Sequence, residues 1–400
     1  MNRRELEAQL LAKISEAIPI IVKNNDPKNL HNAVFSSSKG YGLIIAMDYS
    51  EKMKLDAPAK YLLGLKEISD KYSEEYVENK IQDCFSALLS NDKGPNDNVK
   101  AMVDELLTTE DGEYLIISEI ENIELIDDQE YEFIDSTIKT LKKEDIPFDT
   151  SMIRMPGTDI LNKPVIITRI RAGEKEKAKE IALHRFLVSL NLIRLYVPSY
   201  KPVLKGGFRS GIRGLIVYDN TDKSVSADME RVGDTILKRA KMSSELYNKI
   251  LESGIGELKR ENTVSKVVKE CLYWYGLGLD ENYPAARLIN FVAVLESALK
   301  KKSETTELRR AVSERGAILL NDSFTDRKKA FKDLKKIYDL RSEVVHTGAV
   351  IDNKDMAFSA GGYARAVLLT LIEKSKVFNG NFEEFINHID DIKLGKDENA

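Results

Sequence analysis

Residues 327–348 read RKKAFKDLKKIYDLRSEVVHTG, and this stretch decides the class of the last third of the chain. Stepped at about 100° per residue, it forms one helix with a single apolar arc. With Leu334 as origin, Leu340, Val344, Ile337, Val345, Tyr338 and Phe331 fall between about 240° and about 60°. Arg341 falls near about 340°, inside that arc. A guanidinium there either snorkels out at a domain edge or sits in a polar pocket with a partner, because an unpaired charge in a core is costly. His346 falls near about 120°, outside the arc and close to the helix end. Thr347-Gly348 supplies the stop, since glycine adopts positive φ freely. Arg341 and His346 stand about 140° apart, so one ideal helix does not make them a tight pair. Packing of this helix against a second copy, or distortion of its last turn, would bring them together, and the first of these argues for a homodimer.

The helix read over Pro284–Lys302 has a different character. Ile289, Phe291, Val292, Val294, Leu295, Ala298 and Leu299 cover most of its circumference, the pattern of a central, buried helix. Glu296 falls between Val292 and Ile289 on that wheel, so its carboxylate needs a partner or a raised pKa. Holding Arg341, orienting His346, capping a neighbouring helix and reaching water all meet that need. Helical spacing also covers Val264–Tyr275, Glu304–Leu319 and Phe358–Val377. Five helices with short breaks over residues 262–378 make a compact bundle rather than a long coiled coil.

The fold class expected for the whole chain is multidomain, an N-terminal α/β region followed by this all-α bundle. Residues 1–146 read as α/β: Leu6, Leu10, Leu11 and Ile14 mark a helix, Tyr41–Met47 a buried strand, and Glu74–Leu89 a helix facing inward through Tyr76, Ile81, Phe85 and Leu88. Asn91–Asn98 is rich in turn formers, and alternation returns at Glu113–Ile117 and Ile123–Ile126. Residues 147–225 read as a second α/β unit, possible continuation of the first, with strands at Pro164–Ile170 and Leu215–Tyr218 around a helix at Glu174–Asn191. Residues 226–261 suit a helical connector, and residues 379–400 a polar C-terminal tail.

Composition narrows the function classes. With 60 basic and 65 acidic side chains the net charge is -5, which argues against a chain built as a whole to coat nucleic acid and leaves local basic patches open. Two separated cysteines, Cys84 and Cys271, fit a reducing compartment and rule out a disulfide scaffold. Four histidines without an HExxH arrangement make a histidine-rich metal site unexpected, and no cofactor motif is present. With no membrane-length apolar run and no secretory signal, a cytoplasmic protein without membrane association is expected. The segment Lys205–Gly211 is glycine-rich but lacks the GKS/T ending of a P-loop; it reads as a turn-forming loop, with phosphate contact through Lys205, Arg209 and Arg213 as the other reading. Arg169, Arg171, Lys175, Lys177 and Lys179 alternate with acids, as on a solvated face.

The Arg341–His346 pair suits metal-independent RNA cleavage. An imidazole titrates near neutrality and can take the 2′-hydroxyl proton or protonate the leaving 5′-oxygen. Arginine matches phosphate oxygens and stabilises charge growing on the phosphoryl group. Attack by the 2′-hydroxyl leaves a cyclic phosphate and selects RNA over DNA. The same two residues, taken alone, also fit a structural or surface role. Lys328, Lys329, Lys332, Lys335 and Lys336 precede Arg341 on its helix and can guide an RNA backbone, or simply form a solvated face.

The helix containing Asn290–Leu299, with its Leu295-Glu296-Ser297 element, a following charged helix, and Ile337–Gly348 together resemble the HEPN domains, in particular their Apea-like branch. The resemblance covers about residues 262–378, and nothing earlier in the chain carries one. Its motif is an arginine, four to six residues, then a histidine near a helix end; Arg341 and His346 fit the four-residue form. The resemblance implies a dimeric bundle whose two motifs meet in a composite cleft, with Glu296 and Ser342 beside Arg341 and His346. Ser342 stands where active members often carry asparagine or another strongly polar residue. Many members resemble endoribonucleases of toxin–antitoxin or antiviral defence systems, which makes RNA and an antitoxin or other defence protein the expected partners. Others keep the fold for binding alone, so a non-catalytic RNA- or nucleotide-binding regulator and a structural dimerisation module stay open.

Overall fold

A computed structural model describes residues 2–24, 34–36, 43–45, 49–89, 95–149, 160–197, 202–204, 212–231, 240–260, 262–348, 354–378 and 380–395. The chain is a mixed α/β region followed by a largely helical one, and contact density divides it into two compact units.

One unit comprises residues 1–115, 169–181 and 217–224. Its helices are α1 (Arg3–Asn24), α2 (Tyr49–Leu63), α3 (Lys66–Ser69), α4 (Glu74–Leu89) and α5 (Pro95–Thr108), with two short antiparallel strands, β1 (Val34–Ser36) and β2 (Leu43–Ile45). Leu6, Leu10, Ile14 and Ala17 form one buried stripe on α1, the product of spacing by three and four. They join Leu55, Leu62, Val77, Ile81, Phe85, Val103 and Leu106 in a single core. The helix expected at Glu74–Leu89 keeps those bounds, whereas the strand expected over Tyr41–Met47 is described only at Leu43–Ile45. Cys84 lies in this core, and burial pushes its thiol up to about 11.

The strands after α5 are β3 (Gly112–Glu121), β4 (Ile123–Leu125), β5 (Tyr131–Phe133), β6 (Ser136–Thr140), β7 (Pro164–Ala172), β8 (Val203–Leu204), β9 (Ile212–Asp219), β10 (Val225–Arg231) and β11 (Ala240–Met242). Seven form one sheet in the order β10-β9-β3-β7-β6-β5, with β8 paired to the end of β3; β4 and β11 pair separately and in parallel. Tyr114 to Ser118 of β3 are all buried, as in an interior strand covered on both faces. Helix α6 (Lys175–Tyr196) follows β7. Glu174 begins α6 by accepting from the backbone amides of Glu176 at 2.7 Å and Lys177 at 2.8 Å, and it also accepts from Ser73 at 3.0 Å.

The second unit comprises residues 116–168, 182–216 and 225–400. Residues 226–261, read from sequence as a helical connector, hold most of β10, then β11, helix α7 (Ser244–Glu252) and a 3-10 turn at Ile255–Lys259. Beyond them come α8 (Thr263–Asp280), α9 (Pro284–Leu299), α10 (Leu308–Leu320), α11 (Phe324–Thr347), α12 (Lys354–Lys374) and α13 (Phe382–Lys393). The five helical windows of the sequence correspond to α8 to α12. Helix α9 is central as expected, burying Leu288, Phe291, Val292, Val294, Leu295, Ala298 and Leu299. Phe291 is wedged between Gly278 of α8 and Gly361 of α12, where an added Cβ would stand 2.6 Å and 2.8 Å from its ring. Those glycines are therefore packing residues, small because a ring lies over them.

The expected C-terminal tail is corrected by α13. Phe382, Phe385, Ile386 and Ile389 recur at helical spacing and are all buried, and Asn381 caps the helix by accepting from Glu384 N. An ionic cluster pins its far end. Arg315 of α10, 5% exposed, donates to Leu299 O at 2.8 Å, to Glu304 at 2.7 and 3.2 Å, and to Asp390 at 2.8 and 3.1 Å. Lys301 adds a bridge to Asp390 at 2.7 Å, and Lys393 binds Glu314. A buried arginine is tolerable only with such a complete set of acceptors.

Candidate functional site

Helix α11 carries the site, and both of its ends are set by local chemistry. Ser323 caps the start by accepting from Asp326 N at 3.1 Å. Gly348 closes the end in the left-handed region at φ 66°, its amide donating to Val344 O at 3.0 Å. The stop anticipated from Thr347-Gly348 is therefore present, and His346 stands in the last turn.

Only the middle of α11 is sunk into the bundle. Ala330, Leu334 and Ile337 are buried; Leu340, Arg341, Ser342 and Val344 are half-buried, and Val345 is 49% exposed. The apolar arc of the sequence thus continues past the point where the bundle covers it. Phe358, in the second turn of α12, is 81% exposed. Arg341 lies inside this uncovered apolar stretch, as its phase on the helix required. Among the described residues it makes no hydrogen bond and no ion pair.

Glu296 and Tyr338 meet across α9 and α11, with the phenol hydroxyl donating to the carboxylate. Burial pushes the Tyr338 hydroxyl well above its ordinary value, the bond to Glu296 pushes it further, and the charge of Arg341 pulls the other way. Glu296 therefore has the partner that its buried helix demanded, and that partner is neither Arg341 nor His346. Tyr338 escaped the sequence reading because it was counted among the apolar members of the arc. A half-buried phenol favours an acceptor and a half-buried carboxylate a donor, so matching those two needs would have found the pair.

His346 is exposed, without a hydrogen bond or ring contact among the described residues. Of the other described histidines, His184 stacks on Tyr273 at 5.6 Å and His388 lies 5.2 Å from the Phe378 ring. Arg341 and His346 are separated by about 7.5 Å along the helix axis and by about 140° around it. A single copy of the described residues does not join them. Ser342 makes no hydrogen bond among the described residues.

Lys328, Lys329, Lys332, Lys335 and Lys336 are all exposed, and Lys335 sits 5.9 Å from the Phe331 ring centroid. Two acids of the same helix are engaged elsewhere: Asp333 accepts from the Tyr363 hydroxyl at 3.1 Å, and Asp339 pairs with Arg309. Among the described residues these lysines pair with no acid, and from Lys328 to Lys336 they span about 12 Å of the helix, enough to meet neighbouring phosphates of one strand.

The segment Lys205–Gly211 lies outside the described residues. Of the run Arg169, Arg171, Lys175, Lys177 and Lys179, Lys177 pairs with Glu180 and Lys179 with Glu176 on α6. Among the described residues no group of three or more His, Cys, Asp or Glu side chains is placed to hold a metal ion, and no helix is long and apolar enough to cross a membrane. Comparison with known proteins finds no family model, no curated protein and no solved structure that matches this chain.

Proposed function

We infer that this protein is a metal-independent endoribonuclease of the HEPN kind, with each cleft built from Arg341 of one copy and His346 of a second. The observation that carries the reading is Arg341: a half-buried guanidinium at the uncovered apolar end of α11, with no counter-ion among the described residues. A cation kept in that state is suited to an incoming phosphate, which it meets with paired N–H donors. His346, exposed one helical turn and a half further on, is accessible to substrate. The imidazole accepts the 2′-hydroxyl proton as that oxygen attacks phosphorus. The imidazolium so formed returns that proton to the leaving 5′-oxygen, and the products carry a 2′,3′-cyclic phosphate and a 5′-hydroxyl. Arg341 stabilises the charge that grows on the non-bridging oxygens. Ser342 is close enough in sequence to donate a hydrogen bond to the same phosphate, and the five exposed lysines of α11 lead an RNA backbone towards it. In this reading the activity serves a defence or toxin system, whose trigger or antitoxin engages the α/β region.

Val345 and Phe358 support a second reading, in which the end of α11 makes a homodimer without chemistry. Cleavage of a mixed RNA pool by wild type, Arg341→Ala and His346→Ala separates the two. Loss of cleavage in both variants with retained binding supports the nuclease. Cleavage that persists in both variants refutes the site, and a wild type that cleaves no RNA favours the dimerisation module.

A further inference from the structure

Glu296 has two possible donors on α11, one turn apart on the same face: the Tyr338 hydroxyl and the Arg341 guanidinium. The hydroxyl holds it. Arg341 is near enough for its charge to act on that hydroxyl, yet it makes no hydrogen bond or ion pair among the described residues. An arginine–carboxylate pair is the stronger contact in a half-buried setting, so the observed choice of donor needs a reason. The reason lies in conformational cost. The Tyr338 ring is held between α9 and α11 and has few torsions to lose. Arg341 would have to immobilise a longer chain with more torsions to hold the same carboxylate.

We propose that Tyr338 is a positioning residue which occupies Glu296 and so keeps the Arg341 guanidinium free to bind a phosphate oxyanion. The identity of the anion rests on the endoribonuclease reading; the choice of partner by Glu296 does not. Without the hydroxyl, Glu296 becomes a half-buried carboxylate lacking its donor. Such a group draws in a cation, and Arg341 stands one turn along α11 from the lost hydroxyl. Arg341 would then be neutralised where it is needed.

The test reads the availability of Arg341 directly. Full-length protein is treated with phenylglyoxal, which modifies unpaired guanidinium groups, and the rate at Arg341 is mapped by mass spectrometry against exposed Arg4. Wild type, Tyr338→Phe, Glu296→Gln and the double variant Tyr338→Phe/Glu296→Gln are compared. Arg341 should react about fivefold more slowly in Tyr338→Phe, the factor carried by a modest ion pair. The double variant and Glu296→Gln should react at the wild-type rate, because no carboxylate remains to capture the arginine. Equal rates in wild type and Tyr338→Phe overturn the proposal, as does a slowing that the double variant retains, since that reports a packing defect. RNA cleavage is measured on the same samples and should follow the phenylglyoxal rate. The phenylglyoxal pattern without any wild-type cleavage leaves the positioning role standing and removes the nuclease reading.

Discussion

Replacing Arg315 by Met removes the positive centre of the α10–α13 cluster while keeping much of its volume. The substitution leaves Leu299 O, Glu304 and Asp390 without their shared donor. Breaking a fully buried ion pair from one side costs about 3–5 kcal/mol. Here the two carboxylate side chains are 23% and 28% exposed, and Lys301 still reaches Asp390 at 2.7 Å. The lower end, about 3 kcal/mol, is therefore expected at neutral pH. For a unit of this size that corresponds to a fall in Tm of roughly 6–12 °C. In wild type, burial pushes the Glu304 and Asp390 carboxyls up. The bonds from Arg315, joined at Asp390 by Lys301, more than offset burial and hold both below their ordinary range. Such groups contribute stability that is fully present above their unfolded values, near pH ~4, and lost as pH falls through the lower folded values. Arg315→Met lacks that contribution, and its two desolvated carboxyls protonate readily in acid. The difference between the two proteins should accordingly shrink as pH falls from neutrality through pH ~4. Thermal unfolding, together with hydrogen exchange of the α10 and α13 peptides corrected for intrinsic rates, measures both effects. An α13 that exchanges as slowly in the variant as in wild type at neutral pH, or a deficit that widens in acid, refutes the account.

Mixing Arg341→Ala with His346→Ala under subunit exchange should restore about one quarter of wild-type cleavage, because half the dimers are hybrids with one intact cleft of two. No recovery, with hybrids verified by native mass spectrometry, would show that the pair does not work across copies. Replacing Lys328, Lys329, Lys332, Lys335 and Lys336 together by Ala should flatten the salt dependence of single-stranded RNA binding by up to about 3.5 in log–log slope; an unchanged slope means that RNA does not run along α11. Two adjacent glycines of α12 should respond oppositely. Gly361→Ala drives a methyl into the Phe291 ring and should destabilise by about 1–2 kcal/mol. Gly362→Ala meets nothing within 4 Å and should stabilise by about 0.5–1 kcal/mol through helix propensity. Urea titrations giving both variants the same sign would contradict the packing at Phe291.

Periodicity carried the long helices because each buries a stripe that a 3.6-residue repeat makes visible. The bounds of α4 at Glu74–Leu89 and the central placement of α9 were legible for that reason. Strands β5 at Tyr131–Phe133 and β11 at Ala240–Met242 are three residues long, too short for an alternation signal, and owe their conformation to sheet neighbours. Helix α13 was missed for another reason. Its buried Phe382, Phe385, Ile386 and Ile389 keep helical spacing, but Glu383, Glu384, Asp390 and Asp391 gave the segment the composition of a solvated tail. Asp390 is the corrective: a charge in that position is clasped by Arg315 rather than left to solvent alone. The Tyr338–Glu296 bond was legible only as two separate needs, since a helical wheel records a direction and not the neighbour that lies there.

Arg315 and Arg341 show why phase on a helix locates a charge without giving its role. On α10, Arg315 falls between Ala311 and Leu319 at four-residue spacing, and on α11 Arg341 lies within the arc of Leu340, Val344 and Ile337. Both are arginines set among apolar neighbours, and a wheel treats them alike. What separates them is the inventory of acceptors. Arg315 has a backbone carbonyl and two carboxylates, all within hydrogen-bond distance, so its charge is consumed inside the fold. Arg341 makes no side-chain hydrogen bond or ion pair among the described residues, and Glu296 on the neighbouring helix is held by Tyr338. A structural arginine brings its counter-ions with it, as Arg315 does; on the proposed reading Arg341 is left for an anion from outside. That asymmetry, rather than the spacing of Arg341 and His346, is the physical ground on which the proposed chemistry is assigned to the end of α11.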